Sequence, residues 1–422
     1  MSGDMPQWQN VLMSNTTTDD ALTPAEAEAF RVQVREFLEK NASGIGRRSD
    51  TSVQIAKTYQ SALVEAGLAG LVYGKEHGGA GLTRAHDRIY REEYGKYPDM
   101  TFELTISHGM CLPVLNQFGT EEHKREFMPD LIAARTMWCQ MFSEPGAGSD
   151  VASLQTRAEL DGDEWVLNGQ KVWTTLAHVS DYGVLIARTN PDAPKHAGIS
   201  MFIVDMKAPG MEIRPIHQID GGSHFNEVFF TDVRIPHANV VGDVNDGWRL
   251  AKVTLGNERV SLSTGGVLWG NGPTALDVIA EAKKLGITNR TMRHRLVDIY
   301  IEHTILEIIR MRTLTARLRG TQPGPEASIR KIMADEHGQT VMELARDITG
   351  AQAMVIGQED AVAGKSITSK SWYSGYMFSK ALTIGGGTGE VQRNILGERV
   401  LKLPSEPNPQ SGQAWSQSTS QK

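Results

Sequence analysis

Gln140-Met141-Phe142-Ser143-Glu144-Pro145-Gly146-Ala147-Gly148-Ser149-Asp150 lies where the period of the chain changes, and the fold is decided by what flanks it. Upstream, from about residue 20 to 137, the pattern is helical. Thr23-Pro24-Ala25-Glu26 is a capping box with proline at the first helical position, so a helix is expected to start there. Phe30, Val34 and Phe37 continue it at helical spacing. Further helices are expected near 51–66, 82–95, 102–117 and 121–133, with glycine clusters such as Gly78-Gly79-Ala80-Gly81 between them.

Downstream, from about 138 to 243, the period shortens. Asp161-Gly162 and Asn168-Gly169 are strong hairpin-turn dipeptides and bracket a short run, Glu164–Leu167. Tyr182–Arg188, Ile199–Val204, Met211–Ile216 and Val228–Val233 are β-branched or aromatic runs between turn signals. A compact antiparallel β domain is expected. After Gly247-Trp248 the helical period returns and holds to about residue 400. Arg295–Arg319 reads as a long amphipathic helix with Leu296, Ile299, Tyr300, His303, Leu306 and Ile309 on one broad face. The fold class is therefore α+β. A flexible N-terminus (1–20) precedes a helical domain (21–137), a central β domain (138–243) and a C-terminal helical bundle (244–403). The polar tail 404–422 is expected to be disordered.

Bulk composition narrows the function classes. A net charge of -7 leaves no basic footprint for a nucleic-acid backbone. Two cysteines, Cys111 and Cys139, show no metal-type spacing and no disulfide framework, which fits a reducing compartment. No apolar run approaches the roughly 20 residues of a membrane span, and Met1-Ser2-Gly3-Asp4 does not open a signal pattern. A cytoplasmic location is expected.

Three stretches carry chemistry. In the run quoted first, small residues and hydroxyls let backbone N–H groups and Oγ atoms approach a polar ligand. A plain surface loop also uses proline and glycine, so composition alone leaves both readings open. The second stretch is Lys171-Val172-Trp173-Thr174-Thr175, where an aromatic followed by hydroxyls can stack on a ring and bond its edge. Taken alone, Trp173 equally suits a core. The third is Ile384-Gly385-Gly386-Gly387-Thr388-Gly389-Glu390-Val391-Gln392-Arg393, a glycine-rich loop running into a helix, which suits phosphate or an oxyanion. It is not a dinucleotide fingerprint, because no βαβ unit surrounds it. Gly364-Lys365-Ser366 is set aside, since position 359 is glutamate where a phosphate loop needs glycine.

Together, in this order and on a helix–β–helix background, these stretches resemble the acyl-CoA dehydrogenase family over roughly residues 25 to 403. The resemblance implies an FAD enzyme that removes two hydrogens from an acyl-CoA thioester and yields the trans-2-enoyl-CoA. It implies flavin contacts from Gln140, Phe142, Ser143, Gly148, Ser149, Trp173, Thr175, Thr388 and Glu390, with Arg290 as the arginine near the place where the family reaches a neighbour's flavin. It implies substrate contacts from Ser149, Leu255, Arg259 and Gly387. Many members carry the α-proton base as glutamate in the loop where this chain has Gly386. In Leu255-Gly256-Asn257-Glu258-Arg259-Val260, Glu258 instead stands where the isovaleryl-CoA dehydrogenase group keeps it, although a Glu-Arg pair on a helix is also an ordinary surface ion pair.

The family's Arg-x-x-Phe-Gly segment is absent, and its Gln-x-x-Gly-Gly loop reads Asp347-Ile348-Thr349-Gly350-Ala351. The implied partners are an electron-transfer flavoprotein as electron acceptor and further subunits, in a homodimer, homotetramer or mixed tetramer. Two alternatives stand beside this reading. One is an acyl-CoA oxidase or flavin monooxygenase of the same fold. The other is a non-catalytic subunit that completes a partner's flavin site.

Overall fold

The computed structural model describes residues 22–43, 53–97, 99–219, 222–262, 274–318, 324, 325, 327–351, 370–407, 409 and 412–417. The side chains of 257–262, 314–318, 327 and 370–374 lie outside that description. Helix α1 (Pro24–Ala42) begins at the expected capping box. Glu26 N donates to Thr23 Oγ1 at 3.3 Å, and Thr23 N donates to Glu26 Oε2 at 2.8 Å. Helices α2 (Val53–Glu65) and α3 (Arg84–Tyr94) follow. The single helix expected over 102–117 is instead broken into a 3₁₀ turn (Phe102–Leu104), a π turn (Ser107–Cys111) and α4 (Leu112–Phe118). Pro113 is the reason: its ring would strike the carbonyl of Gly109 in a regular helix, and the wider π turn relieves the clash. Helix α5 (Glu121–Ile132) closes the N-terminal layer.

Eight strands form one sheet: β1 (Trp138–Met141), β2 (Arg157–Asp161), β3 (Glu164–Thr175), β4 (Tyr182–Arg188), β5 (Ile199–Asp205), β6 (Met211–Pro215), β7 (Phe225–Pro236) and β8 (Val240–Val241). The order is β6-β7-β3-β2-β4-β5-β8, with β1 paired to β4. The sheet is not wholly antiparallel, as expected from the hairpin signals. β1 runs parallel to β4, an arrangement the long β2–β3 excursion between them permits. Nor does Asn168-Gly169 make a hairpin; β3 continues through it to Thr175. A Cβ on Gly169 would lie 2.6 Å from Thr156 Oγ1, and Asp232 on β7 bulges opposite with φ 50°. Asn168 satisfies that bulge, donating to Asp232 Oδ1 at 2.9 Å and accepting from Asp232 N at 3.0 Å.

Strands β4 and β5 are buried on both faces. Val184, Ile186, Ile199, Met201 and Ile203 join the N-terminal helices in one core, which also takes Leu250 and Ala251 of α6 (Gly247–Leu262). The alternate residues Leu185, Ala187, Phe202 and Val204 face a second core with Trp165, Leu167, Val228 and Phe230. The remaining helices are α7 (Ala275–Lys284), α8 (Arg290–Leu318), α9 (Ala327–Thr349), α10 (Lys370–Ser379) and α11 (Gly389–Ile395). They pack around a third, smaller core that includes Ala275, Val278, Ile299, Val341, Leu344 and Leu382.

On α8, Ile299 and Leu306 are buried, but Tyr300 points to solvent, contrary to its expected place on the core face. It belongs to a second apolar stripe with Val297, Ile301, Ile305, Ile308 and Met311, all exposed. The tail also departs from expectation. Ala414 forms an antiparallel bridge with Pro194, and Trp415 is buried against the β domain. One aromatic with a seat on the sheet outweighs the polarity of its neighbours. Among the described residues, no helix is long and apolar enough to cross a membrane.

Candidate active site

β1 occupies one edge of β4 from Trp138↔Tyr182 to Met141↔Leu185, and β2 takes over that edge at Arg157↔Arg188. Residues 142–156 leave the sheet at this hand-over. Glu144 N donates to Ala147 O at 3.1 Å and Ala147 N to Glu144 O at 3.0 Å, closing a tight turn around Pro145-Gly146. Gly148 and Ser149 are exposed beyond it, and a Cβ at Gly146 or Gly148 would meet nothing within 4 Å. The Phe142 side chain belongs to the core, which leaves its backbone for the flavin contact expected of it. Gln140 is half-buried on β1, opposite Val184.

The Glu144 side chain turns inward. Its carboxylate accepts from Gln155 N at 2.6 Å, Thr156 N at 3.0 Å and Lys171 Nζ at 2.8 Å. Lys171, 0% exposed, also donates to Phe142 O at 3.0 Å. Burial disfavours the Glu144 carboxylate, but the Lys171 charge and the amide donors outweigh it and hold its pKa below the usual range. One buried ion pair thus ties both ends of the loop to β3. The motifs contain both residues but do not show their pairing. The available signal was the strand alternation: counting by twos from the inward Trp165 and Leu167 puts Lys171 on the inward face.

Two residues beyond Lys171, β3 bulges. Lys171 pairs with Val228 and Thr174 with Asn226, so three steps on β3 span two on β7. Trp173 sits in the bulge with φ 60°, a left-handed conformation that costs a bulky residue about 1–2 kcal/mol. Trp173 is 58% exposed, with Phe225 in edge-to-face contact at 5.8 Å between ring centroids. The core reading of Trp173 is therefore excluded. Val172 N donates to Ser143 O at 2.9 Å, which brings the bulge against the loop. Thr174 turns inward, and its buried Oγ1 has no partner among the described residues; Thr175 lies half-buried beside it.

The glycine-rich loop stands on a different scaffold. α9 holds its approach: Lys331, paired with Asp335, donates to Leu382 O at 3.0 Å, and Gln339 Nε2 donates to Ser379 O at 3.1 Å. Gly386 and Gly387 have φ of 66° and 93°, values at which a side chain would be strained. Thr388 caps α11 by accepting from Val391 N at 3.2 Å, and Glu390 is exposed in its first turn. Arg290 is exposed at the start of α8. Asp347 accepts from Arg295 at 2.7 Å and from Arg346 Nη2 at 2.6 Å, so it serves an ion-pair network.

Leu255 lies half-buried on α6 beside the first core. Glu258 and Arg259 fall in the last turns of the same helix, where side chains lie outside the described residues. The structure thus brings together the β-domain candidates and, on a separate scaffold, Gly387, Thr388 and Glu390.

An exposed indole locked beside open glycines and exposed or half-buried hydroxyls suits a flat, hydrogen-bonding ring system. A flavin fits that description, and Ser143, Gly148, Ser149, Trp173 and Thr175 are the groups that would hold it.

Sequence-family comparison agrees with this geometry. The acyl-CoA dehydrogenase N-terminal domain matches residues 24–135, the middle domain 139–233 and the C-terminal domain 245–401. The chain belongs to the acyl-CoA dehydrogenase family, flavoprotein oxidoreductases of lipid metabolism that depend on FAD. It is 38% identical over 396 residues to the acyl-CoA dehydrogenase IpdE1 of Mycobacterium tuberculosis, covering 90% of this chain and 99% of that one. Among solved structures, the Tcur3481–Tcur3483 steroid ACAD is similar, at 28% identity and TM-score 0.75, over 91% of this chain and 99% of that one. So is the ChsE4–ChsE5 complex from Mycobacterium tuberculosis, at 29% identity and TM-score 0.72, over 92% and 99% of the two chains.

Proposed function

We propose that this chain oxidises the Cα–Cβ bond of an acyl-CoA to the trans-2-enoyl-CoA, with Glu258 as the α-proton base. The observation that carries the reading is Trp173, exposed and held at positive φ beside the Ser149 loop. The Glu258 carboxylate takes the α-proton, a role worth about 10²–10⁴-fold. The α C–H electron pair becomes the new π bond as the β-hydrogen departs with its pair. The flavin, when bound, supplies the acceptor for that hydride. Backbone N–H donation to the thioester oxygen stabilises the developing enolate. Ser149 positions the thioester arm, Leu255 and Gly387 line the acyl side, and Arg259 supports the base. Gln140, the Phe142 backbone, Ser143, Gly148, Trp173 and Thr175 cradle the flavin ring. Thr388, Glu390 and Arg290 serve the adenosine–pyrophosphate side across a subunit contact.

Gly386 removes the side chain that would otherwise crowd the acyl group, and the likeness to a protein described as a steroid ACAD supports a ring-bearing acyl thioester as substrate. The exposed α8 stripe supports assembly with a second chain, and the ChsE4–ChsE5 likeness favours a mixed oligomer over a lone subunit. An electron-transfer flavoprotein is the proposed electron acceptor.

The test is visible spectroscopy of the purified protein with a panel of straight-chain, branched and ring-bearing acyl-CoA thioesters. Wild type is expected to be yellow and to bleach with a ring-bearing thioester, whereas Glu258→Gln keeps its colour and bleaches about 10²-fold more slowly or worse. A variant that bleaches as fast as wild type would remove Glu258 from the role. Rapid reoxidation of the bleached protein by air would favour the oxidase reading, and a colourless chain the non-catalytic one.

A further inference from the structure

We propose that residues 412–417 form a strap that positions the ligand loop of the β domain, with Trp415 and Arg188 as its positioning residues. The strap is anchored by its backbone. Trp415 N donates to Ala193 O at 2.9 Å, and Ser416 N donates to Pro191 O at 2.8 Å. The Ser416 hydroxyl reaches Asp192 Oδ1 at 3.2 Å, and Ala414 bridges to Pro194. These contacts seat Trp415, 2% exposed, on the segment joining β4 to β5.

Under the indole lies Arg188, the last residue of β4, its guanidinium carbon 4.5 Å from the ring centroid. Arg188 is only 4% exposed, and the Glu144 carboxylate favours its charge without forming a direct ion pair among the described residues. Burial pulls its pKa down to about 10, so it remains a cation at neutral pH. Its Nη2 donates to Ala152 O at 2.7 Å and its Nη1 to Lys195 O at 2.6 Å, while the buried Nε has no partner among the described residues. Two carbonyls and the more distant Glu144 carboxylate attract this cation, and the indole face adds to that attraction while excluding water.

Ala152 and Lys195 connect this to the loop. Ala152 belongs to the turn Val151–Ser153, which directly follows Ser149-Asp150. Lys195 is ion-paired to Asp150, and the Ser153 hydroxyl donates to Asp150 Oδ2 at 2.5 Å. Release of Trp415 would open Arg188 to water, loosen its grip on Ala152 O and Lys195 O, and let the Ser149–Ser153 stretch move. The exposed Ser149 side of the loop would lose its fixed height above the sheet. The consequence for substrate affinity rests on the reading of Ser149 as a thioester contact; the consequence for backbone order does not.

The experiment uses full-length, flavin-loaded protein carrying Trp415→Ala, Trp415→Leu or Trp415→Phe. Two readouts are taken: amide hydrogen exchange over 150–156 and 189–198, and steady-state kinetics with the best acyl-CoA and a dye acceptor. The Ala and Leu variants are expected to exchange faster in both segments. Their KM should rise about 3- to 30-fold, the span of a desolvated cation–π contact, with kcat within about 2-fold. Phe keeps an aromatic face and is expected to restore wild-type values. Unchanged exchange over 150–156 in the Leu variant would overturn the strap. Faster exchange with unchanged KM would overturn substrate positioning. A wild type that turns over no acyl-CoA would sink the dehydrogenase reading, and the exchange readout would then decide the strap alone.

Discussion

The β-domain ledge around residues 142–156 and the C-terminal bundle each hold a candidate ligand loop, in opposite ways. The ledge is tied from within: Glu144 and Lys171 are both buried and together fasten residues 142, 155 and 156. Its surrounding core is shared with the N-terminal helices and with α6. The bundle has its own smaller core and leaves an apolar stripe of α8 exposed from Val297 to Met311. The ledge is fastened by contacts within one chain, whereas the exposed α8 stripe is the surface on which the proposed assembly with a second chain rests. On the proposed function, one side of the site would be held rigid from within and the other set by assembly.

The sharpest test of the contrast is Lys171→Met. It strands the Glu144 carboxylate in a buried site, so about 3–5 kcal/mol of stability should be lost in chemical denaturation. A loss below about 1 kcal/mol would show that the pair does not fasten the ledge. Next comes α8. Ile301→Glu with Ile308→Glu places charges in the exposed stripe, and sedimentation should show a smaller species with its helix content retained. Unchanged sedimentation would break the bundle side of the comparison. A smaller effect is expected in the N-terminal layer. There Arg35, Arg31 and Lys96 surround the Glu93 carboxylate and hold its pKa down to about 2, below the ordinary 4.5. A depressed acid stabilises the folded state above its unfolded pKa and loses that contribution as pH falls. The stability difference between wild type and Glu93→Gln should therefore be full above about pH 5 and vanish toward pH 2, with a plateau near 1 kcal/mol. A difference independent of pH would mean that the carboxylate charge is not what matters.

Periodicity made most of the architecture legible. The capping box at Thr23 starts α1, and the switch from helical to β spacing near residue 138 coincides with β1. What periodicity missed were effects of contact at a distance. Asn168-Gly169 reads as a turn locally, but Thr156 and the Asp232 bulge across the sheet turn it into a strand crossing. Tyr300 fits the core face by spacing, but a helix with two apolar stripes cannot declare from spacing which one a partner covers. Trp415, in a polar tail, gave no periodic signal, because its seat is built by residues 188–194. Of the site, the residue types around Ser149, Trp173 and Thr388 were legible in order. The exposure of the indole and its positive φ were not, since a bulge depends on the register of two strands.

The relay of β1 and β2 along a single edge of β4 has one more consequence. Each strand has its own pairing with β4, closed at Met141↔Leu185 and reopened at Arg157↔Arg188. The stretch between them is in effect a cassette clipped into a fixed frame. So long as Glu144 remains to pair with Lys171, the cassette's length could be changed by design without sliding a single rung of the frame that carries it.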